Sequence, residues 1–331
     1  MPPFVFFMKE FKFLTHDVVD PEFNIASEEY LLKNTKGYYV YLWQNSPSVI
    51  VGVNQNVFEE VNLDYTQKNG IKVVRRITGG GAVYHDLNNV CYTVIAPFDS
   101  QKQNYKEFTA PLIDFLKGLG VNAELSGRND VTVGGKKISG NAQTVFGDRI
   151  LQHGTLLFKT DMDALSSALK PNKLKMQSKG IKSVRARVTN IYDELPVKTT
   201  CQEFFELLKA HLSKGLEKYT FSEQDLKEIQ KLKDEKYSSF DWNAGRSPKG
   251  KNTFEGRFDF GTLNINFDTL NGKMINVVIT GDFFSKKPIQ EFCQKLELVP
   301  FEKARVQKVF YDVCSYIDGA DANQIVDKLF E

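Results

Sequence analysis

The sequence predicts an α/β chain of the α+β type: a mixed, largely antiparallel sheet with interspersed helices, followed by a small α+β unit. Three observations carry that expectation. Apolar runs of strand length pair across turn signals, as Val131-Thr132-Val133 and Lys137-Ile138-Ser139 do around Gly134-Gly135. Helical spacing intervenes without the regular strand–helix alternation of a doubly wound sheet. A stretch rich in Gly, Ser, Pro and Lys from Asn243 to Asn252 then precedes a fresh set of alternating strands. The 331 residues fit one large and one small domain better than a single core.

Taken in order, Phe23, Ala26, Tyr30 and Leu31 share one face of a helix expected over Glu22–Lys33, with Asn24 or Ser27 as its cap. Tyr39–Trp43 and Val49–Val53 are expected strands with Asn45-Ser46-Pro47 as the turn between them. Ile71–Arg76 is a strand that delivers the chain into a glycine loop, and Val90–Ala96 is the returning strand. Phe108, Leu112, Phe115 and Leu116 mark an amphipathic helix, and Thr155–Phe158 is a further strand. Helices are expected near Gln202–Lys218 and Glu223–Lys233, after which Tyr237 to Asn243 closes the first domain. Phe258, Phe260, Leu263, Ile265 and Phe267 alternate with one phase slip at Gly261-Thr262, read as a bulge. Asn271-Gly272 makes a tight turn into Met274–Thr280. Helices near Pro288–Leu298, Glu302–Ile317 and Ala320–Phe330 complete the small unit. The expected division is residues 1–246, a linker at 247–253, and residues 254–331.

Composition excludes several classes. Hydrophobic content of 41% and charge of 25% are ordinary for a globular chain, and a net charge of +2 predicts neither a nucleic-acid nor a membrane partner. From Phe254 onward there are 9 basic and 12 acidic residues, so the preceding part carries +5. No apolar run approaches the roughly 20 residues that span a bilayer. Phe4-Val5-Phe6-Phe7 is too short for a signal peptide, and Met8 offers an alternative start. Four scattered cysteines without a CxxC pair point to reduced thiols and a cytoplasmic home. His16, His85, His153 and His211 lack ligand spacing, so no zinc site is expected.

The most informative stretch is Arg75-Arg76-Ile77-Thr78-Gly79-Gly80-Gly81-Ala82-Val83-Tyr84-His85-Asp86. Glycines let backbone N–H groups approach an anion, and guanidinium groups are planar donors that suit phosphate or carboxylate. Three glycines alone commonly make only a turn, and the segment matches neither the Walker loop nor the dinucleotide fingerprint. Lys137 follows a Gly-Gly hairpin, where its ammonium can bridge two anionic oxygens. Lys136 faces the other way, because strand side chains alternate, so only one of the two enters a site. Asp130 in Gly127-Arg128-Asn129-Asp130 reads either as part of a polar turn or as a carboxylate for Mg²⁺. His153 either orients its loop or touches substrate, and His85-Asp86 is either a structural hydrogen-bonded pair or part of the site. Residues 173–187 mix six basic residues with apolar ones in a loop suited to cover a nucleotide.

These segments, in this order, resemble the lipoate–protein ligase A family. The glycine segment is similar to its signature loop. Asn129-Asp130-Val131, Lys137-Ile138-Ser139-Gly140-Asn141-Ala142 and His153-Gly154-Thr155-Leu156-Leu157 resemble its next three blocks. Lys179-Gly180-Ile181-Lys182-Ser183-Val184-Arg185-Ala186-Arg187-Val188 resembles its mobile adenylate-covering loop. The likeness runs from about Pro21 to Asn243, and the tail resembles the accessory domain of longer members. The resemblance implies a biotin-ligase and class II synthetase-like catalytic domain. It also implies a two-step reaction with ATP and lipoate as substrates and Mg²⁺ as cofactor. Lipoyl-AMP forms first, and the lipoyl group then passes to a lysine of a lipoyl-carrier domain. The acceptors implied are 2-oxoacid dehydrogenase acyltransferase subunits and the glycine cleavage H protein.

By the same resemblance, Arg76, Gly81, Ala82, Val83, Tyr84 and Lys137 hold ATP, and Lys137 is the catalytic residue. Arg75, Gly79, Gly80, His85, Lys137, Gly140 and His153 contact lipoate. Lys179, Gly180, Ser183, Val184 and Arg185 cover the adenylate, and Asp130 holds the metal. Two positions depart from the family: Asn88 stands where a glycine is common, and Thr144 where some members place an arginine. The nearest rival is an octanoyl or lipoyl transferase of the same fold, acting without ATP; those that act covalently need an activated cysteine. A non-catalytic sensor with a DNA-binding module is the other, although no basic recognition helix is present.

Overall fold

The computed structural model describes residues 10–99, 104–170, 188–245 and 252–330. In chain order, β1 is Phe11–Thr15, α1 Pro21–Asn34, β2 Tyr38–Trp43, β3 Ser48–Val51, α2 Val57–Glu60, α3 Leu63–Lys68, β4 Lys72–Arg75, β5 Val83–His85 and β6 Asn89–Pro97. Then follow α4 Asn104–Gly118, β7 Glu124–Ser126, β8 Asp130–Val133, β9 Lys136–Phe146, β10 Arg149–Leu157, α5 Met162–Ala168, α6 Ile191–Glu194, α7 Cys201–Leu212, β11 Glu217–Lys218 and α8 Glu223–Leu232. After two π-helical turns at Lys233–Tyr237 and Asp241–Gly245 come β12 Asn252–Phe258, β13 Gly261–Leu270, β14 Lys273–Gly281, α9 Ile289–Leu296, α10 Lys303–Phe310 and α11 Ala322–Leu329.

An eight-stranded sheet has the order β11-β1-β2-β6-β10-β9-β8-β7. It is antiparallel from β2 to β7, whereas β1 runs parallel to both of its neighbours. Period-two alternation divides its side chains between two cores. Val40, Leu42, Tyr92 and Val94 pack with Phe115 of α4 and Phe204 of α7. Tyr39, Tyr41, Trp43, Cys91 and Ile95 pack on the opposite face with Ile25, Ala26 and Leu31 of α1. A second sheet, β4-β3-β5, carries the glycine loop between β4 and β5. The third, β12-β13-β14, has its own core of Leu263, Ile265, Phe267, Phe292 and Phe310. No helix among the described residues is long and apolar enough to cross a membrane.

Several expectations are corrected. The cap of α1 is Asp20, whose carboxylate accepts from the Glu22 N–H, with Pro21 opening the helix. Asn24 and Ser27 are buried inside that helix instead. β2 and β3 do not form one hairpin, because the turn at Asn45-Ser46-Pro47 passes the chain from the large sheet to the small one. α7 ends at Leu212, and Glu217–Lys218 form an edge strand beside β1. The slip at Gly261-Thr262 is the tip of a hairpin, since Phe258 pairs with Gly261; the register shift falls later, between Asn266 and Asp268. β12 begins at Asn252, inside the stretch read as linker.

Candidate active site

A cavity opens where the glycine loop, β9 and β10 converge. Its floor is the face of the large sheet that carries Trp43, Cys91, Ala142, His153 and Thr155. Val83, His85 and Arg76 come down on it from the small sheet, and Ile25 from α1. One end is polar, with Lys137, Gly140, Asn129 and Asn141, and the other is largely apolar, with Ile25, Trp43, Ile50 and Cys91.

At the polar end Lys137 Nζ lies 2.7 Å from Asp130 Oδ1, with both side chains about one-third exposed (34% and 38%). A Cβ on Gly140 would stand 2.6 Å from Lys137 Nζ, so the bare backbone there is what leaves room for the ammonium. The carbonyl of Lys137 also receives the Thr189 N–H at 3.0 Å. Lys136 is exposed, as alternation requires. Asn129 and Asn141 exchange three bonds of 2.6–3.0 Å, which tie β9 to the turn before β8. Tyr92 donates its hydroxyl to Asn141 Oδ1.

Beneath the cavity lies a closed polar network. Arg76 Nε donates to Thr78 Oγ1 at 2.8 Å, Nη1 to the Ile50 carbonyl at 3.0 Å, and Nη2 to the carbonyls of Gly79 and Gly81 at 2.6 and 2.9 Å. Thr78 Oγ1 lies 2.7 Å from His153 Nε2, and His153 Nδ1 lies 3.0 and 2.9 Å from the two oxygens of Glu28. Glu28 is 1% exposed and also receives the Thr93 hydroxyl, which in turn accepts Trp43 Nε1–H. Burial is the chief cause that lowers the Arg76 pKa to about 10; the Glu28 charge works the other way. A buried cation and a buried carboxylate persist here because hydrogen bonds satisfy both.

The structure brings Arg76, Gly80, Gly81, Val83, His85, Lys137, Gly140 and His153 together around the cavity. Tyr84 alternates away from Val83 and His85 and is buried with Val49 and Val51 on the outer side of the small sheet; Ala82 packs against the same cluster. Arg75 departs from its expected place. Its guanidinium donates to the carbonyls of Gly52, Val53, Gln55, Trp242 and Asn243, and it does not line the cavity. It sits one residue from Arg76 on a strand and therefore points the opposite way. Gly79 is packed from outside: a Cβ there would lie 2.4 Å from the Phe283 carbonyl of the C-terminal unit. Lys179, Gly180, Ser183, Val184 and Arg185 lie outside the described residues.

His85 and Asp86 are not a pair. His85 Nδ1 meets Asn45 Nδ2 at 3.1 Å, whereas Asp86 accepts from the N–H groups of Asn88 and Asp161, both at 2.9 Å. Asp86 thus caps the turn in which Asn88 replaces glycine. Thr144 lies on β9 opposite Leu151. Burial, with Arg76 and His153 nearby, drives the His85 pKa down to about 3, and burial pushes the Cys91 thiol well up. Cys91 therefore lacks the lowered pKa that an acyl-carrying thiol needs. Among the described residues no group of three or more His, Cys, Asp or Glu side chains is placed to hold a metal.

Sequence reasoning missed Glu28, Thr78 and Trp43. Glu28 had a signal: Ser27-Glu28-Glu29 interrupts the apolar stretch from Phe23 to Leu32, and an acid inside a buried helix needs a dedicated partner. Thr78 and Trp43 had none, because their roles depend on sheet register.

Comparison with known proteins identifies the family. Residues 20–213 match the lipoyl protein ligase A/B catalytic domain, and residues 247–329 match the bacterial lipoate protein ligase C-terminus. A lipoate-protein ligase of Bacillus subtilis is 42% identical over 305 residues, covering 90% of this chain and 92% of that one. Lipoate–protein ligase 1 of Staphylococcus aureus is 40% identical, covering 95% and 98%. Among solved structures, LipL1 of P. falciparum in complex with lipoate superposes with a TM-score of 0.77 at 26% identity, covering 96% of this chain and 98% of that one. A lipoate-protein ligase A bound with ATP gives 0.61 at 29% identity, covering 71% and 98%. On these matches the chain belongs to the lipoate–protein ligase family and is an enzyme of the ligase class.

Proposed function

We propose that the cavity joins lipoate to ATP and then passes the lipoyl group to a lysine of a lipoyl-carrier domain. In the first step a lipoate carboxylate oxygen bonds to the α-phosphorus while the bond to the β-phosphate breaks, releasing pyrophosphate. In the second, the acceptor amine bonds to the acyl carbon, the acyl–oxygen bond breaks and AMP leaves. The observation that carries the reading is Lys137: a cation at the mouth of a cavity with an apolar end, paired with a one-third-exposed carboxylate that an anionic ligand can displace. Fixed positive charge at the meeting point of two anions lowers their repulsion in the transition state.

Arg76 is assigned to the nucleotide side together with Gly81, Ala82, Val83 and Tyr84. Three of its bonds go to the glycine loop and a fourth to Ile50 of β3, so the loop backbone, and not a swinging arginine, would meet the phosphates. Gly80, His85, Gly140 and His153 are assigned to the lipoyl side, whereas Gly79, packed against Phe283, is not. The five donor bonds of Arg75 to carbonyls give it an architectural role in place of the ligand contact expected for it. Asp130 would hold Mg²⁺ through a single carboxylate. The metal would supply further neutralisation of phosphate charge.

An archaeal bipartite lipoate protein ligase, described in a structural study with its E2 lipoyl domain, is 31% identical and superposes with a TM-score of 0.64. That supports a lipoyl domain as acceptor; dehydrogenase acyltransferase subunits and the H protein are the specific acceptors we propose. The same reading divides the chain at 246 and 254. It also places the chain in the cytoplasm, which four cysteines without a disulfide fit. Lipoate-dependent exchange of pyrophosphate into ATP, followed by a lipoyl mass increment on a carrier domain, tests the proposal. A carrier modified equally well without ATP would refute it.

A further inference from the structure

His85 is held by a chain of amides whose direction is fixed by backbone. Asn24 Nδ2 lies 3.1 Å from the Val18 carbonyl and 2.9 Å from the Gln44 carbonyl. Carbonyls only accept, so the Asn24 nitrogen must be the atom between them. That nitrogen also faces Asn45 at 2.9 Å, and two donors cannot face each other, so Asn45 presents Oδ1 to Asn24. Asn45 Nδ2 is then the atom 3.1 Å from His85 Nδ1. Nδ1 has an N–H aimed at it and must accept. On the other side of Asn24, Oδ1 receives the Tyr41 hydroxyl at 3.3 Å, consistent with the same direction. Asn24, Asn45 and His85 are all at least nine-tenths buried, so water does not offer the ring an alternative partner.

Sheet register says what surrounds the His85 ring where it lines the cavity. Cys91 pairs with Trp43 on one side and with Thr155 on the other, and Gly154, beside Thr155, pairs with Asn141 of β9. From β9, where Gly140 and Lys137 sit, to β2, where Trp43 sits, is three strand spacings, or about 14 Å at roughly 4.8 Å each. That is the order of an extended medium-chain acyl group. With a carboxylate at Lys137, the tail of such a group ends against Trp43, Cys91 and His85. The Trp43 and His85 rings stand 6.3 Å apart, and Cys91 Sγ lies 3.6 Å from Nδ1 and 3.9 Å from Nε2. The tail end is therefore apolar except for one imidazole.

We propose that the Asn24–Asn45 amide pair locks His85 as the neutral Nε2–H tautomer, and that this single buried donor favours acyl ligands whose far end carries an acceptor atom, such as ring sulfur, over plain alkyl chains. The proposal rests on the lipoate reading of the cavity. With an alkyl tail the Nε2–H has only the long contact to Cys91 Sγ, 3.9 Å away, whereas a ligand sulfur brings it a closer acceptor. Asn45 acts through His85 and is a positioning residue.

Nitrogen-15 NMR of histidine-labelled protein, with binding calorimetry without ATP, tests this. At neutral pH the wild type should show His85 Nε2 protonated and Nδ1 bare, and lipoate but not octanoate should shift the Nε2 signal. Asn45→Asp, which offers Nδ1 an acceptor, should protonate Nδ1. His85→Phe should cut the ratio of lipoate to octanoate affinity by about threefold to tenfold. A protonated Nδ1 in the wild type, equal Nε2 shifts with both acids, or an unchanged affinity ratio overturns the proposal; the wild-type spectrum needs no variant to fold. Intact lipoate binding without ATP-dependent turnover would instead count against the ligase reading alone.

Discussion

At the mouth of the cavity Lys137 meets Asp130 with both side chains a third exposed, whereas beneath it Arg76, Thr78, His153 and Glu28 are linked and closed from water. The first pair is screened by solvent and contributes little to stability. Its ammonium is ready to exchange a carboxylate for another anion. The second group is saturated by fixed partners and holds the glycine loop in one shape. On the proposed function, reactivity sits where a cation is weakly committed, and rigidity where it is fully committed. Neighbouring arginines repeat the contrast: Arg76 supports the cavity, and Arg75 seals the back of the same strand.

Substitutions at the two levels should separate activity from stability. Lys137→Ala should leave the fold intact and lower lipoyl-AMP formation by at least about a thousandfold, read as pyrophosphate exchange. Near-normal exchange would show that the mouth is not where charge is neutralised. Glu28→Gln should do the reverse. Loss of the buried charge removes the acceptor facing His153 Nδ1 and the nearby carboxylate that favours the Arg76 cation, and should cost about 1–3 kcal/mol in denaturant unfolding. A cost below about 1 kcal/mol would mean that carbonyls alone support the arginine.

Acid should act through the deep level. The unfolded chain takes up a proton at His85 below its ordinary 6.5, and the folded chain resists until about 3. Stability is full above 6.5 and falls between those limits, with a slope of about 1.4 kcal/mol per pH unit from this group. His85→Phe should flatten that limb of the unfolding curve, and an unaltered slope would contradict it. Gly140→Ala should push Lys137 aside and reduce turnover about tenfold, with little change in melting temperature. Smallest of all, Asp130→Asn should alter stability by less than about 1 kcal/mol.

Much of the cavity's outer end was legible in the chain. A lysine after a Gly-Gly hairpin and a glycine loop after a strand are local patterns, and local patterns survive in sequence. The hairpins at Gly134-Gly135 and Asn271-Gly272 were legible for the same reason. The deep network was not, because Glu28 and His153 are separated by 125 residues and meet only once α1 packs on the sheet. Arg75 and Arg76 look equivalent as letters; only strand alternation, with carbonyls from Trp242 and Asn243 on one side, tells them apart. The turn after Trp43 misled because Asn45-Ser46-Pro47 gives no sign that its two strands belong to different sheets.

The guanidinium of Arg75 also bears on biosynthesis. Two of its carbonyl acceptors, and the Asn243 side chain that takes its backbone N–H, are translated about 167 residues after it. Until they leave the ribosome, a nascent chain with all its strands through β10 already made still carries this arginine short of acceptors. A protein truncated at 213, where the catalytic-domain match ends, would keep every cavity residue and still lack the plug that closes the strand behind them.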